Sequence, residues 1–91
     1  MTERRVILFS GRVQGVGFRM TAIQLAADLP LAGTVSNLED GDVELIAEGE
    51  SADIEVLLER LREQFGSYLR TISQRSIIPT GRAGRGIRVL H

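Results

Sequence analysis

Gly11-Arg12-Val13-Gln14-Gly15-Val16-Gly17-Phe18-Arg19 follows the apolar run Val6-Ile7-Leu8-Phe9 and precedes a segment of helical periodicity. Three glycines and two arginines therefore fall at a strand-to-helix junction. Such a junction suits an anion. Glycine lets the backbone turn sharply and approach a ligand, successive N–H groups form a positive concavity, and the helix start adds donors with partial positive charge. Arg19 can bring a planar guanidinium to the same point and grip two oxygens of a phosphate or carboxylate. The loop reads as an oxyanion cradle; the plainer alternative is a tight turn with a surface arginine. Two other glycine motifs do not fit. A Walker-type loop needs a lysine, and the chain has none; a dinucleotide fingerprint needs a third glycine where Met20 stands.

Working outward, the first strand is predicted over Arg4 to Ser10. Phe18, Ala22, Leu25, Ala26 and Leu29 recur at spacings of three and four, giving a helix that Pro30 stops. A second strand is predicted from Leu31 to about Leu38, with Glu39-Asp40-Gly41-Asp42 as the turn of a hairpin. The third strand alternates Val43, Leu45 and Ala47 on one side with Glu44, Ile46 and Glu48 on the other. Ser51 is the expected N-cap of a second helix, with Asp53 in its first turn, a buried stripe of Ile54, Leu57, Leu58, Leu61 and Phe65, and Gly66 closing it. Leu69, Ile72, Ile77 and Ile78 predict a fourth strand, Pro79-Thr80-Gly81 a turn, and Ile87 to Leu90 a short last strand. The order βαββαβ plus a final strand predicts an α+β fold, a ferredoxin-like sandwich with two helices on one face of a mostly antiparallel sheet. One domain over residues 1–91 is expected from the length.

The segment from Gly11 to Arg19 resembles the signature loop of the acylphosphatases. Gly33-Thr34-Val35-Ser36-Asn37-Leu38-Glu39-Asp40-Gly41-Asp42-Val43-Glu44 resembles the same family's second motif, a strand ending in asparagine followed by an Asp-Gly turn. The second half of the chain matches by pattern only. The resemblance implies hydrolysis of an acyl phosphate, a small-molecule mixed anhydride, to carboxylate and inorganic phosphate, with phosphate or sulfate as a product-like ligand. It implies that Arg19 and the backbone N–H groups of Gln14, Gly15, Val16, Gly17 and Phe18 bind the phosphate, that Asn37 holds the attacking water, and that neither cofactor nor metal takes part. The alternative is an acylphosphatase-like module that binds an anion or a partner without turnover. Thr34 stands where the family commonly has an aromatic residue, and Arg82-Ala83-Gly84-Arg85-Gly86-Ile87 carries arginines where aromatics usually flank the glycine.

Composition narrows the remaining choices. Eleven positive residues, all arginine, balance twelve acidic ones for a net charge of -1. That argues against a nucleic-acid-binding module, as do three phenylalanines and one tyrosine without the interleaving used to stack bases. Without cysteine, neither disulfides nor thiolate metal sites arise. No apolar run reaches membrane-spanning length, and Met-Thr-Glu-Arg-Arg is not a signal-like start, so a cytoplasmic monomer is expected. Asp40 and Asp42 read as turn residues rather than metal ligands, His91 as solvent-exposed, and Arg12 as facing solvent beside the cradle.

Overall fold

A computed structural model describes residues 2–81 and 86–91. Its elements are β1 (Thr2–Gly11), α1 (Phe18–Ala26), β2 (Ala32–Asn37), β3 (Val43–Glu50), α2 (Ser51–Phe65), a 3₁₀ turn (Gly66–Tyr68), β4 (Leu69–Ile77) and β5 (Gly86–Val89). The strands form one sheet in the order β4-β1-β3-β2-β5. Pairings β1–β3, β1–β4 and β2–β3 are antiparallel, and β2–β5 is parallel. This is the expected ferredoxin-like sandwich with one strand added beside β2.

Period-two alternation sends Ile7 and Phe9 of β1, Val35 of β2, Val43, Leu45 and Ala47 of β3, and Ile87 of β5 into one core. Helical periodicity brings Phe18, Ala22 and Ala26 of α1 and Ile54, Leu57, Leu58, Leu61 and Phe65 of α2 onto the same layer. Leu57, Leu58 and Leu61 lose all solvent contact, and burying each such side chain contributes about 1.5–3 kcal/mol. Leu25 and Leu29 complete the predicted α1 stripe only as half-buried residues packed against that core. The helix itself ends at Ala26, ahead of Pro30.

Two expectations are corrected, and one burial was not foreseen. Ser51 is the first residue of α2, not its cap: Glu50 takes the cap position in extended conformation with no side-chain cap bond. The Ser51 hydroxyl instead accepts a hydrogen bond from Arg5, 2.8 Å away. Arg5 also donates to Gln74 at 2.9 Å and pairs with Glu3 and Glu55, so one guanidinium ties β1 and β4 to the start of α2. Ile78 lies beyond the end of β4 and is 87% exposed. Glu48 sits on the sheet side predicted by alternation, but it is 1% exposed.

Topology explains Glu48. Strands β4 and β5 occupy opposite edges, and by Thr80 and Gly81 the chain leaving β4 has reached the central strand. Glu48, on the central strand, meets it there. Its carboxylate accepts from the Thr80 N–H and hydroxyl, both at 2.8 Å, and from the Gly81 N–H at 2.6 Å, with Arg4 at 3.3 Å. The Thr80 N–H foremost, then its hydroxyl, the Gly81 N–H and Arg4, outweigh burial and lower the Glu48 pKa from 4.5 to about 2. The segment Arg82-Ala83-Gly84-Arg85, where the sequence departs from the family pattern, lies outside the described residues.

Candidate active site

The loop between β1 and α1 is suspended at both ends. Val13 and Phe18 are each 1% exposed, while Gly15, Val16 and Gly17 between them face solvent. Phe18 is wedged between Phe9 and Phe65, with ring centroids at 4.9 and 4.6 Å, so the helical residue that follows the loop is fixed by aromatic packing. Gly15 and Gly17 have φ of 77° and 78°, a region that residues with a Cβ enter at a cost. A Cβ at either position would meet nothing within 4 Å. The backbone angle, not lack of room, therefore calls for glycine.

Gly17 caps α1, and its carbonyl accepts from the Thr21 N–H at 3.0 Å. Among the described residues, none of the N–H groups from Gly15 to Arg19 donates to another backbone carbonyl. The first turn of α1 also contains no acidic residue, so the partial positive charge of the helix start meets no carboxylate from its own turn. Arg19 is half-buried within this turn.

Asn37 reaches the loop by strand alternation. It pairs with Val43 two residues beyond Val35, on the side of the sheet that carries the helices, and becomes exposed as the core ends. β5 lies alongside in parallel, with Val89 opposite Val35, and His91 follows two residues later. One cavity of about 330 Å³ results, bordered by Gly15, Gly17, Phe18, Arg19 and Asn37. Val13, Met20, Val89 and His91 complete its lining.

The structure thus gathers five of the seven residues singled out from sequence around one space. Gln14 and Val16 do not border it. Gln14 turns its side chain to the β2–β3 turn, where its Nε2 donates to the carbonyls of Leu38 and Asp42 at 2.8 and 2.9 Å. Val16 is 37% exposed. His91 is exposed, as expected, but the reading of single residues did not place it, Val89 or Met20 at the cavity; the alternation of β5 from Ile87 was the available signal. Asp40 accepts from the Asp42 N–H at 3.0 Å, the local bond of a turn residue. Arg12 is exposed and lies over the Tyr68 ring, 5.3 Å from its centre. No group of three His, Cys, Asp or Glu side chains suited to a metal occurs among the described residues.

Cavity size alone does not select the site. A space of about 490 Å³ lies elsewhere, bordered by Arg4, Thr34, Glu48, Thr80 and Arg88. It sets a carboxylate among its two arginines and has no helix start, and Thr34 borders it, away from the loop.

Fold and site together define a ferredoxin-like α/β sandwich whose strand-to-helix loop shares one cavity with an arginine and an asparagine. Residues 5–84 match the family model described as Acylphosphatase. The chain belongs to the acylphosphatase family. Among its relatives, an acylphosphatase of Corynebacterium glutamicum (strain R) is 52% identical over 60 residues, which span 66% of this chain and 64% of that protein. The crystal structure of acylphosphatase from Bacillus subtilis superposes with a TM-score of 0.83 at 32% identity, covering 100% of both chains. An acylphosphatase structure from Coxiella burnetii gives 0.84 at 34% identity, over 98% of this chain and 93% of the other. No helix among the described residues is long and apolar enough to cross a membrane.

Proposed function

We propose that residues 1–91 act as one acylphosphatase domain, hydrolysing the carboxyl-phosphate bond of small acyl phosphates. The observation that carries this reading is the shared border of Arg19, Asn37, Gly15 and Gly17 on one cavity. Arg19 and the N–H groups from Gln14 to Phe18 bind the phosphoryl oxygens, and the Asn37 amide orients the attacking water.

The chemistry asks little else of the protein. Water oxygen bonds to phosphorus as the bond from phosphorus to the acyl oxygen breaks, and the electron pair leaves on the carboxylate. The acid conjugate to that leaving group has a pKa of about 4, so it departs at neutral pH without a general acid. A phosphoryl oxygen takes the proton released by the water. A loose transition state needs in-line placement and stabilisation of charge on the equatorial oxygens, which a fixed guanidinium and preorganised amides supply. The reaction so described needs no metal. The domain works as a monomer in the cytoplasm, a setting compatible with its cysteine-free core.

Purified protein incubated with benzoyl phosphate and excess chelator tests the reading. Release of benzoate and phosphate well above the buffer rate is expected. A rate equal to buffer would leave an anion-binding module without turnover.

A further inference from the structure

Gln14 belongs to the loop by sequence but to the β2–β3 turn by its side chain. Both partners of its Nε2 are carbonyl oxygens, Leu38 at 2.8 Å and Asp42 at 2.9 Å, so the two N–H donors of one primary amide are each used once. The same two residues close the turn. The Leu38 N–H donates to the Asp42 carbonyl at 2.8 Å, and the Gly41 N–H donates to the Leu38 carbonyl at 3.2 Å. Leu38 directly follows Asn37. Gln14 directly precedes Gly15, the first of the cavity-lining glycines.

The structure assigns to Gln14 the role of a positioning residue: its side-chain amide clamps the phosphate loop to the asparagine-bearing turn and sets the distance between phosphate and water. This rests on the acylphosphatase reading above and adds to it a side-chain role distinct from the Gln14 backbone N–H. The loop is otherwise fixed through Val13 and Phe18 in the core, and Asn37 through the end of β2. Among the described residues no other side-chain hydrogen bond joins the loop to the turn. One neutral group with two donors suits the place, because a carboxylate would oppose the carbonyls and a hydrocarbon would leave each with only its bond inside the turn. The side chain does not border the cavity, so it acts on the substrate through Asn37 and the loop.

Gln14→Met retains side-chain length and removes both donors, and Gln14→Glu replaces them with acceptors. With benzoyl phosphate, kcat of Gln14→Met is expected to fall about 10²-fold, as for a displacement of about 1 Å in a reacting pair. The inhibition constant of inorganic phosphate should stay within about threefold, since the guanidinium and loop amides remain. Gln14→Glu should be slower still. In the wild-type protein, NMR should show the Gln14 side-chain NH₂ protons protected from solvent exchange. Unchanged kcat in an active Gln14→Met variant, or a weakened phosphate with kcat intact, overturns the clamp while leaving the enzyme reading in place. Freely exchanging NH₂ protons overturn it without recourse to any variant. An inactive wild type overturns the enzyme reading and this inference with it.

Discussion

Arg19 enters from the first turn of α1 and Asn37 from the last position of β2, yet the two border the same cavity. On the proposed reading their chemistry is divided: a guanidinium for the phosphate, a neutral amide for the water. Arg19→Ala should lose both turnover and phosphate affinity. Asn37→Ala should keep phosphate binding while kcat drops about 10²–10³-fold, the scale for removing one preorganised donor. Steady-state kinetics with phosphate as competitive inhibitor separates the two, and near-normal rates in both variants would show the site to be misassigned.

Gly17 holds φ at 78° with open space around a Cβ. Gly17→Ala should therefore destabilise by strain alone, about 1–2 kcal/mol. Gly17→Asn should cost less, because asparagine enters this region more readily. Val16→Ala, at an exposed position, should stay within about 0.5 kcal/mol of the wild type. Urea unfolding checks the order; equal midpoints for alanine and glycine at position 17 would mean the loop does not hold this conformation in solution.

Phe18 joins the loop to the core between Phe9 and Phe65. Phe18→Ala should cost about 3–5 kcal/mol through the cavity it leaves, lowering the thermal midpoint by well over 10 °C at about 4–8 °C per kcal/mol. Phe18→Leu fills more of the space and should recover part of that loss. Calorimetry on the two variants would reject the packing argument if alanine and leucine behaved alike.

What the sequence disclosed and what it hid divide along the range of the interactions. The stripe of Ile54, Leu57, Leu58, Leu61 and Phe65 and the alternation of Val43, Leu45 and Ala47 are local periodicities, and both set the core as read. The meeting of Arg19 and Asn37 at one cavity was legible because each lies in a contiguous motif. Gln14 was legible as a loop residue, but its partners are backbone carbonyls 24 and 28 residues away, which carry no residue-type signal. Ser51 has the chemistry of a cap, but Arg5 on a distant strand engages its hydroxyl. Glu48 has the alternation of a solvent-facing residue, and only the return of the chain at Thr80 and Gly81 buries it.

That burial makes Glu48 an acid-sensitive fastening for the segment leading to β5. Its folded pKa of about 2 lies below the ordinary 4.5, so between these values the unfolded chain binds the proton more readily, and stability rises with pH. The contribution is fully present above about pH 5 and is lost as pH falls toward about 2. Asp28, whose pKa is lowered chiefly by the Arg60 guanidinium, acts in the same direction. The Glu48 share must therefore be read from a Glu48→Gln variant compared with Asp28→Asn. Glu48→Gln should be less stable than the wild type at pH 7, with a shallower decline of its thermal midpoint between pH 5 and pH 2. Because the carboxylate holds Thr80 and Gly81, proteolysis after Ile77 should also accelerate in this variant. Parallel acid-unfolding curves for Glu48→Gln and wild type would mean that the carboxylate does not hold the crossing segment.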